Sequence, residues 1–161
     1  MNPGGVTRCH RLPHYADPRF GDVPLRLLYF LRRDAGSPQT LTSLASKDAN
    51  RLQISAFSSR AIWYGSMLGV PANAAQLKIA YSGLNSASCT QTISIYNWTT
   101  ARWVTLDTRT VGTTEIDVTG LVPPGSQSDY IKAGTGEVRV QIQSTFSGAF
   151  TTSGDLLALS Y

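Results

Sequence analysis

Imidazole is nearly absent from this sequence: it holds two histidines, His10 and His14, and none after them. Nucleophilic triads rely on a base, most often His, to activate a Ser or Cys, so the commonest hydrolytic machinery is excluded from residues 41–161. Cysteine is equally scarce. With Cys9 and Cys89 alone, no framework of bridges can be read. A Cys9–Cys89 disulfide has no local spacing behind it, and Cys89 reads instead as a small buried apolar side chain. No CxxC or HExxH motif occurs.

Charge is thin as well. Charged residues make up 15% of the chain, against about 25% in an average globular domain, so Ser, Thr, Asn and Gln must cover the surface. That is the look of an extracellular, secreted β protein. Long apolar runs are missing too. The run Leu25-Arg26-Leu27-Leu28-Tyr29-Phe30-Leu31 is interrupted by Arg26 and falls far short of the roughly 20 residues that span a membrane. It also lacks the basic start and small-residue cleavage site of a signal peptide, so neither a membrane span nor a signal peptide is read in this chain. Amphipathic helical periodicity of about ten residues or more is not found from residue 41 onward.

The formal net charge of +4 raises the question of nucleic acid, and its distribution answers it. Through residue 40 six Arg face three Asp, whereas from residue 41 onward eight Lys and Arg face seven Asp and Glu. The body is therefore close to neutral and has no dense basic stripe for a phosphate backbone. The first forty residues also hold both histidines and five of the eight prolines (Pro3, Pro13, Pro18, Pro24 and Pro38) without a sustained period. They read as an irregular basic leader, 1–40, with a non-native stretch or the start of a fragment as alternatives, ahead of one domain at 41–161.

What the sequence does contain is two-residue alternation. In Gln76-Leu77-Lys78-Ile79-Ala80-Tyr81 the large apolar side chains Leu77, Ile79 and Tyr81 alternate with Gln76, Lys78 and Ala80, and in Glu137-Val138-Arg139-Val140-Gln141-Ile142-Gln143 apolar and polar positions exchange at every step. That is the pattern of half-buried strands in antiparallel sheets. Strands are expected near 51–57, 61–68, 75–83, 90–98, 101–108, 114–118, 137–145 and 155–161. The fold class is all-β, an antiparallel β-sandwich or jelly roll of about eight strands. Pro123 and Pro124 remove ladder donors and mark a turn or crossover, after which residues 126–133 suit one helical turn. With Thr99-Thr100 as a two-residue turn, Ile95 lies opposite Val104, Ile93 opposite Leu106, and Tyr96 opposite Trp103 on the other face. Thr-Thr is poor for the primed turns such loops favour, and a one-residue slip would exchange the faces. Trp63 is expected in the core and Tyr64 on the surface.

Aromatic side chains are the functional signal. Sugars present CH-rich faces that stack on Trp and Tyr, whose rings join large contact area to a polar tip. Trp98, Trp103 and Tyr96 can form such a platform, with Arg102 or Asn97 at its edge and Tyr64 as a further surface candidate. The competing reading makes Tyr96 and Trp103 a cross-strand pair that only stabilises the sheet, or buries them beneath the leader. For paired-carboxylate catalysis the candidates are Glu115, Asp117 and Glu137. Glu115 and Asp117 share a strand face that reads as exposed polar surface. Asp155, before the last strand, could join loop carbonyls around a structural Ca²⁺, against a turn or capping role for Ser153-Gly154-Asp155.

Taken together, Ala61-Ile62-Trp63-Tyr64-Gly65-Ser66, Leu77-Lys78-Ile79-Ala80-Tyr81-Ser82-Gly83, Ser88-Cys89-Thr90-Gln91-Thr92, Tyr96-Asn97-Trp98-Thr99-Thr100, Trp103-Val104-Thr105-Leu106-Asp107 and Ser153-Gly154-Asp155-Leu156-Leu157 resemble a known kind of unit. They look like the C-terminal accessory domains of multidomain secreted bacterial proteins, which are similar to galactose-binding-like jelly rolls and carbohydrate-binding modules. The resemblance covers roughly residues 41–161. It implies a non-catalytic module that attaches its parent protein to a polysaccharide or cell-surface glycan, beside neighbouring domains. Where such relatives carry an Asp-Asp-Gly-like turn early in the domain, this chain departs from them with Lys47-Asp48-Ala49-Asn50, which counts against calcium there and leaves Asp48 and Asp155 as the residues for any structural calcium; no other cofactor is implied. In a bacterial chain the sequon Asn97-Trp98-Thr99 would be silent. The alternative is a structural or protein-interaction module, such as a stalk, adhesin or assembly domain, without affinity for saccharides.

Overall fold

The computed structural model describes Leu44, Lys47, Asp48 and residues 50–56 and 59–161; the expected leader at 1–40, with Cys9 and the apolar run at 25–31, lies outside the described residues. Because alternation puts every second side chain on one face, each strand that follows has a face to bury. The strands are β1 (Leu52–Ala56), β2 (Arg60–Met67), β3 (Lys78–Asn85), β4 (Cys89–Asn97), β5 (Arg102–Val111), β6 (Ile116–Leu121), β7 (Val138–Thr145) and β8 (Phe150–Ser160). One sheet has the order β1-β8-β3-β6 and the other β2-β7-β4-β5, with antiparallel pairing throughout. Only the β4–β5 connection stays within a sheet, so the chain shuttles between layers in the manner of a jelly roll. The protein is an eight-stranded β-sandwich, as the alternation led us to expect.

The dry space between the sheets is filled by Trp63, Tyr81, Ile93, Ile95, Val140, Ile142, Leu157 and Leu159, together with Leu44 from the segment ahead of β1. Each such aliphatic or aromatic side chain contributes roughly 1.5–3 kcal/mol when fully buried. Strand β7 alternates between buried and half-buried at every residue. Trp63 lies in the core and its neighbour Tyr64 on the opposite face. The Tyr81 ring passes the place where residue 83 has no side chain: a Cβ at Gly83 would collide with Tyr81 Oη and come within 2.6 Å of Ser153 O. Cys89 is buried and unbridged.

The β4–β5 hairpin keeps the expected pairs Ile95 with Val104 and Tyr96 with Trp103, but Ile93 lies opposite Asp107 rather than Leu106. A bulge between Ile93 and Ser94 inserts the extra residue Leu106 on the β5 side; Leu106 still packs against the core. The turn is also longer than two residues, because Asn97 pairs with Arg102 and four residues lie between them. Asn97 Oδ1 accepts the Thr100 N–H at 2.8 Å, which fixes the turn, and Ala101 closes it at φ 54°. The tip is tied down by Trp98 N–H, which donates to Asp129 O at 2.7 Å. Asp129 belongs to a 3-10 turn, Gln127–Tyr130, the single helical turn expected after the two prolines.

An L residue in the left-handed region costs roughly 1–2 kcal/mol, part of which glycine returns as unfolded-chain entropy. Ala101→Gly therefore raises the melting temperature by a few degrees, about 1 kcal/mol, in a thermal unfolding scan.

Candidate functional site

The outward face of the β2-β7-β4-β5 sheet follows from the register. Tyr64 on β2 is level with Gln141 on β7 and Ser94 on β4, and Ser94 pairs with Thr105 on β5. One row along, Ser66 pairs with Arg139, and Tyr96 with Trp103. In the other direction Ile62, Gln143, Thr92 and Thr108 form the next row, where the Thr92 and Thr108 hydroxyls lie 3.3 Å apart. Aromatic rings thus occupy one end of the face, and uncharged amides and hydroxyls continue it.

The rings form a closed circuit. Trp103 and Tyr96 meet edge-on at 5.1 Å between centroids and Tyr96 and Trp98 edge-on at 4.9 Å, while Tyr64 and Trp103 are tilted to each other at 6.0 Å. The Arg139 guanidinium closes the loop at 4.6 Å from the Trp98 centroid and 5.6 Å from that of Tyr64. Strands β2 and β5 are the two edges of this sheet and stand about 14 Å apart at ordinary strand spacing. Tyr64 and Trp103 therefore lean inward across β7 and β4 until their rings touch. Beneath them Ser94, although on the outward face, is almost sealed from solvent at 5% exposure. Trp103 remains 36% exposed, the largest open apolar surface of the cluster.

Trp98 has a different task. Its indole N–H donates to Glu137 O at 2.9 Å, and the Lys132 ammonium lies 4.9 Å from its ring centroid, so two cations rest on one ring. Glu137, 7% exposed, ties these parts together. Its Oε1 accepts from Ser66 Oγ at 2.8 Å and from Arg139 Nε at 2.6 Å, and Oε2 lies 3.7 Å from Lys132 Nζ. Burial works against its charged form, but hydrogen bonds from Arg139 and Ser66 and the charges of Arg139 and Lys132 outweigh it and hold the carboxyl below its ordinary value.

Of the residues read from sequence, Tyr64, Tyr96, Trp98 and Trp103 come together on this face. Arg102 does not: it precedes Trp103 on β5 and so points to the other side of the strand. Arg139 and Lys132 take the place expected for it. Arg139 was legible as an outward position on an alternating strand, whereas Lys132 sits in a loop and carried no signal. Glu137 appeared only as a carboxylate candidate. Asn97 of the sequon is buried, with its carboxamide oxygen spent on the turn.

The other carboxylates read from the sequence, Glu115, Asp117, Asp48 and Asp155, lie on or beside strands of the other sheet. Lys47 Nζ stands 2.9 Å from Glu115 and 2.7 Å from Asp117, and Arg51 stands 2.6 Å from Glu115. Burial opposes ionisation of Glu115, yet Lys47 and Arg51 hold its carboxyl below the ordinary value. Asp48 and Asp155, expected to share a calcium ion, do meet, but through the Asp48 backbone N–H, which donates to Asp155 Oδ1 at 3.1 Å. Asp48 Oδ1 meanwhile accepts from Asn50 N–H at 2.6 Å. Burial raises the Asp155 carboxyl above its usual range in spite of the Asp48 amide. Among the described residues no three His, Cys, Asp or Glu gather to hold a metal ion. A divalent cation does not suit a site whose neighbouring carboxylates already face Lys47 and Arg51.

No family model matches the chain, and no curated protein matches it. Among solved structures, one described as "CBM4 structure and function" has 17% identity, a TM-score of 0.51, and coverage of 71% of this chain and 86% of that one. The chain shares the β-sandwich fold of that carbohydrate-binding module. Two looser likenesses are to TmCBM61 in complex with β-1,4-galactotriose (9% identity, TM-score 0.43, 73% of this chain and 74% of that one) and to the enzymatically active domain of bacteriophage CBA120 tailspike protein 4 (12%, 0.42, 83% and 19%).

A carboxyl held below its unfolded value of about 4.3 contributes stability that is fully present above that pH and fades as the pH falls through the folded value. Melting temperature therefore falls on acidification below about pH 4, and Glu137→Gln flattens that dependence while costing about 1–3 kcal/mol at neutral pH. Neither added calcium nor a chelator shifts the melting temperature of the wild-type chain; a rise with calcium would restore a metal to Asp48 and Asp155.

Proposed function

We propose that this chain is a non-catalytic glycan-binding module that attaches a secreted parent protein to a polysaccharide or cell-surface glycan. The observation that carries the reading is the arched aromatic cluster of Trp103, Tyr64 and Tyr96 over one sheet face, continued by rows of Gln, Ser and Thr. Flat π surfaces meet the CH faces of sugars, and uncharged amides and hydroxyls meet their hydroxyl groups without burying a charge. Likeness in fold to a carbohydrate-binding module supports the same reading. So does the use of the carboxylates. Glu115, Asp117 and Glu137 each face a cation or a cation pair rather than one another, which suits binding better than acid–base hydrolysis.

Trp103 is the anchor in this reading because it is the most exposed ring, while Trp98 serves as the base on which the cations rest. Trp103→Ala weakens retention on the bound polysaccharide about tenfold or more in a depletion assay against insoluble polymers, with little change in melting temperature. If the wild-type chain is retained on none of a broad panel of plant, bacterial and algal polysaccharides, the proposal falls.

A further inference from the structure

We propose that the aromatic face takes a glycan bearing carboxylate groups, a polymer of the uronic-acid type, and that Arg139 and Lys132 are the residues that select it. This rests on the glycan-binding reading above and narrows it to a class of ligand. Arg139 is held in place from within the protein. Glu137 Oε1 accepts from its Nε at 2.6 Å, while Tyr64 and Trp98 lie along the guanidinium at 5.6 and 4.6 Å. The two terminal nitrogens have no acceptor among the described residues. A guanidinium with its inner edge satisfied and its outer edge open is a planar fork of the shape that carboxylates engage with two parallel hydrogen bonds.

Lys132 strengthens the case. Its ammonium rests over Trp98 at 4.9 Å but stays 3.7 Å from Glu137 Oε2, beyond hydrogen-bonding reach. Both cations thus share one buried carboxylate, already occupied on Oε1 by Ser66 and Arg139. The nearby Asp129 spends its Oδ1 on Thr99 Oγ1 at 3.0 Å. Asp129 keeps its negative charge, but among the described residues Glu137 is the only carboxylate within ion-pairing distance of either cation, so the Lys132 charge beside the stacking rings has only that distant, shared partner. A neutral sugar would leave that charge and the open guanidinium edge unanswered, whereas a ring with a carboxylate substituent satisfies both while stacking on Trp103. Because Glu137 and the two aromatic neighbours hold the guanidinium before the ligand arrives, little side-chain freedom is lost on binding.

The test measures retention of the wild-type chain on polygalacturonate, neutral galactan and dextran sulfate at low and high salt, together with three variants. Polygalacturonate is expected to bind most tightly and to weaken with salt. Arg139→Lys, which keeps the charge but loses the fork, and Lys132→Gln each weaken it about tenfold. Arg102→Ala, which removes an equal charge from the other side of β5, leaves it unchanged. Lys132 is a half-exposed loop residue, so its variant keeps the test standing if Arg139→Lys does not fold. Galactan bound as tightly as polygalacturonate, without salt dependence, overturns the acidic class and leaves the glycan reading intact. Binding of dextran sulfate alone overturns the carboxylate in favour of sulfate. Binding of none of the three polymers or any other polysaccharide overturns the acidic class and the glycan reading together.

Discussion

A two-layered protein has only one dry interface, and every strand must commit one face to it. Here that commitment is made by Trp63, Tyr81, Ile93, Ile95, Val140, Ile142 and Leu157, whose burial settles the direction of each neighbouring side chain. Once Trp63 points inward Tyr64 must point outward, and once Val140 does so Arg139 follows. The aromatic circuit is therefore a by-product of core packing: its members were placed by residues that never touch it. The same constraint explains Gly83. The core face of β3 can hold the full ring of Tyr81 only because residue 83 contributes no side chain of its own.

On that outward face electrostatics takes over from burial. Glu137 is almost closed to solvent, which would ordinarily disfavour its charge, but it sits where Ser66 from β2, Arg139 from β7 and Lys132 from the preceding loop converge. Removing one partner from so enclosed a group leaves the others unsatisfied, which is why such carboxylates carry more structural weight than surface ion pairs. The Lys47–Glu115–Arg51 network on the other sheet has the same composition but greater exposure, and salt screens it more readily.

Most of the architecture was legible because the period of two is local and each strand states it within its own few residues. β7, from Val138 to Thr145, needed no knowledge of its neighbours. The hairpin register was legible as far as Val104 and failed at Leu106, because a bulge is a property of two strands at once. Legibility of the site split along the same line. Tyr64, Tyr96 and Trp103 were readable as outward aromatics, but nothing in the sequence says that Tyr64 on one edge strand reaches Trp103 on the other. Lys132 was invisible because loops carry no periodicity, and Arg102 misled because proximity in sequence to Trp103 means the opposite face of a strand. Asp48 and Asp155 were legible only as separate acidic positions; that the Asp48 amide meets the Asp155 carboxylate depends on backbone direction.

The bulge at Leu106 has a bearing on how the molecule behaves in company. Strand β5 is a long edge of its sheet, with a row of unspent amides and carbonyls that could nucleate polymerisation through strand addition. The extra residue breaks the spacing of that row midway. Just beyond it, Asp107 and Arg109 lock together through two hydrogen bonds, crowding the border with charge. An incoming strand would find its donors and acceptors out of step with those on offer, so the kink makes this border a poor template for strand addition.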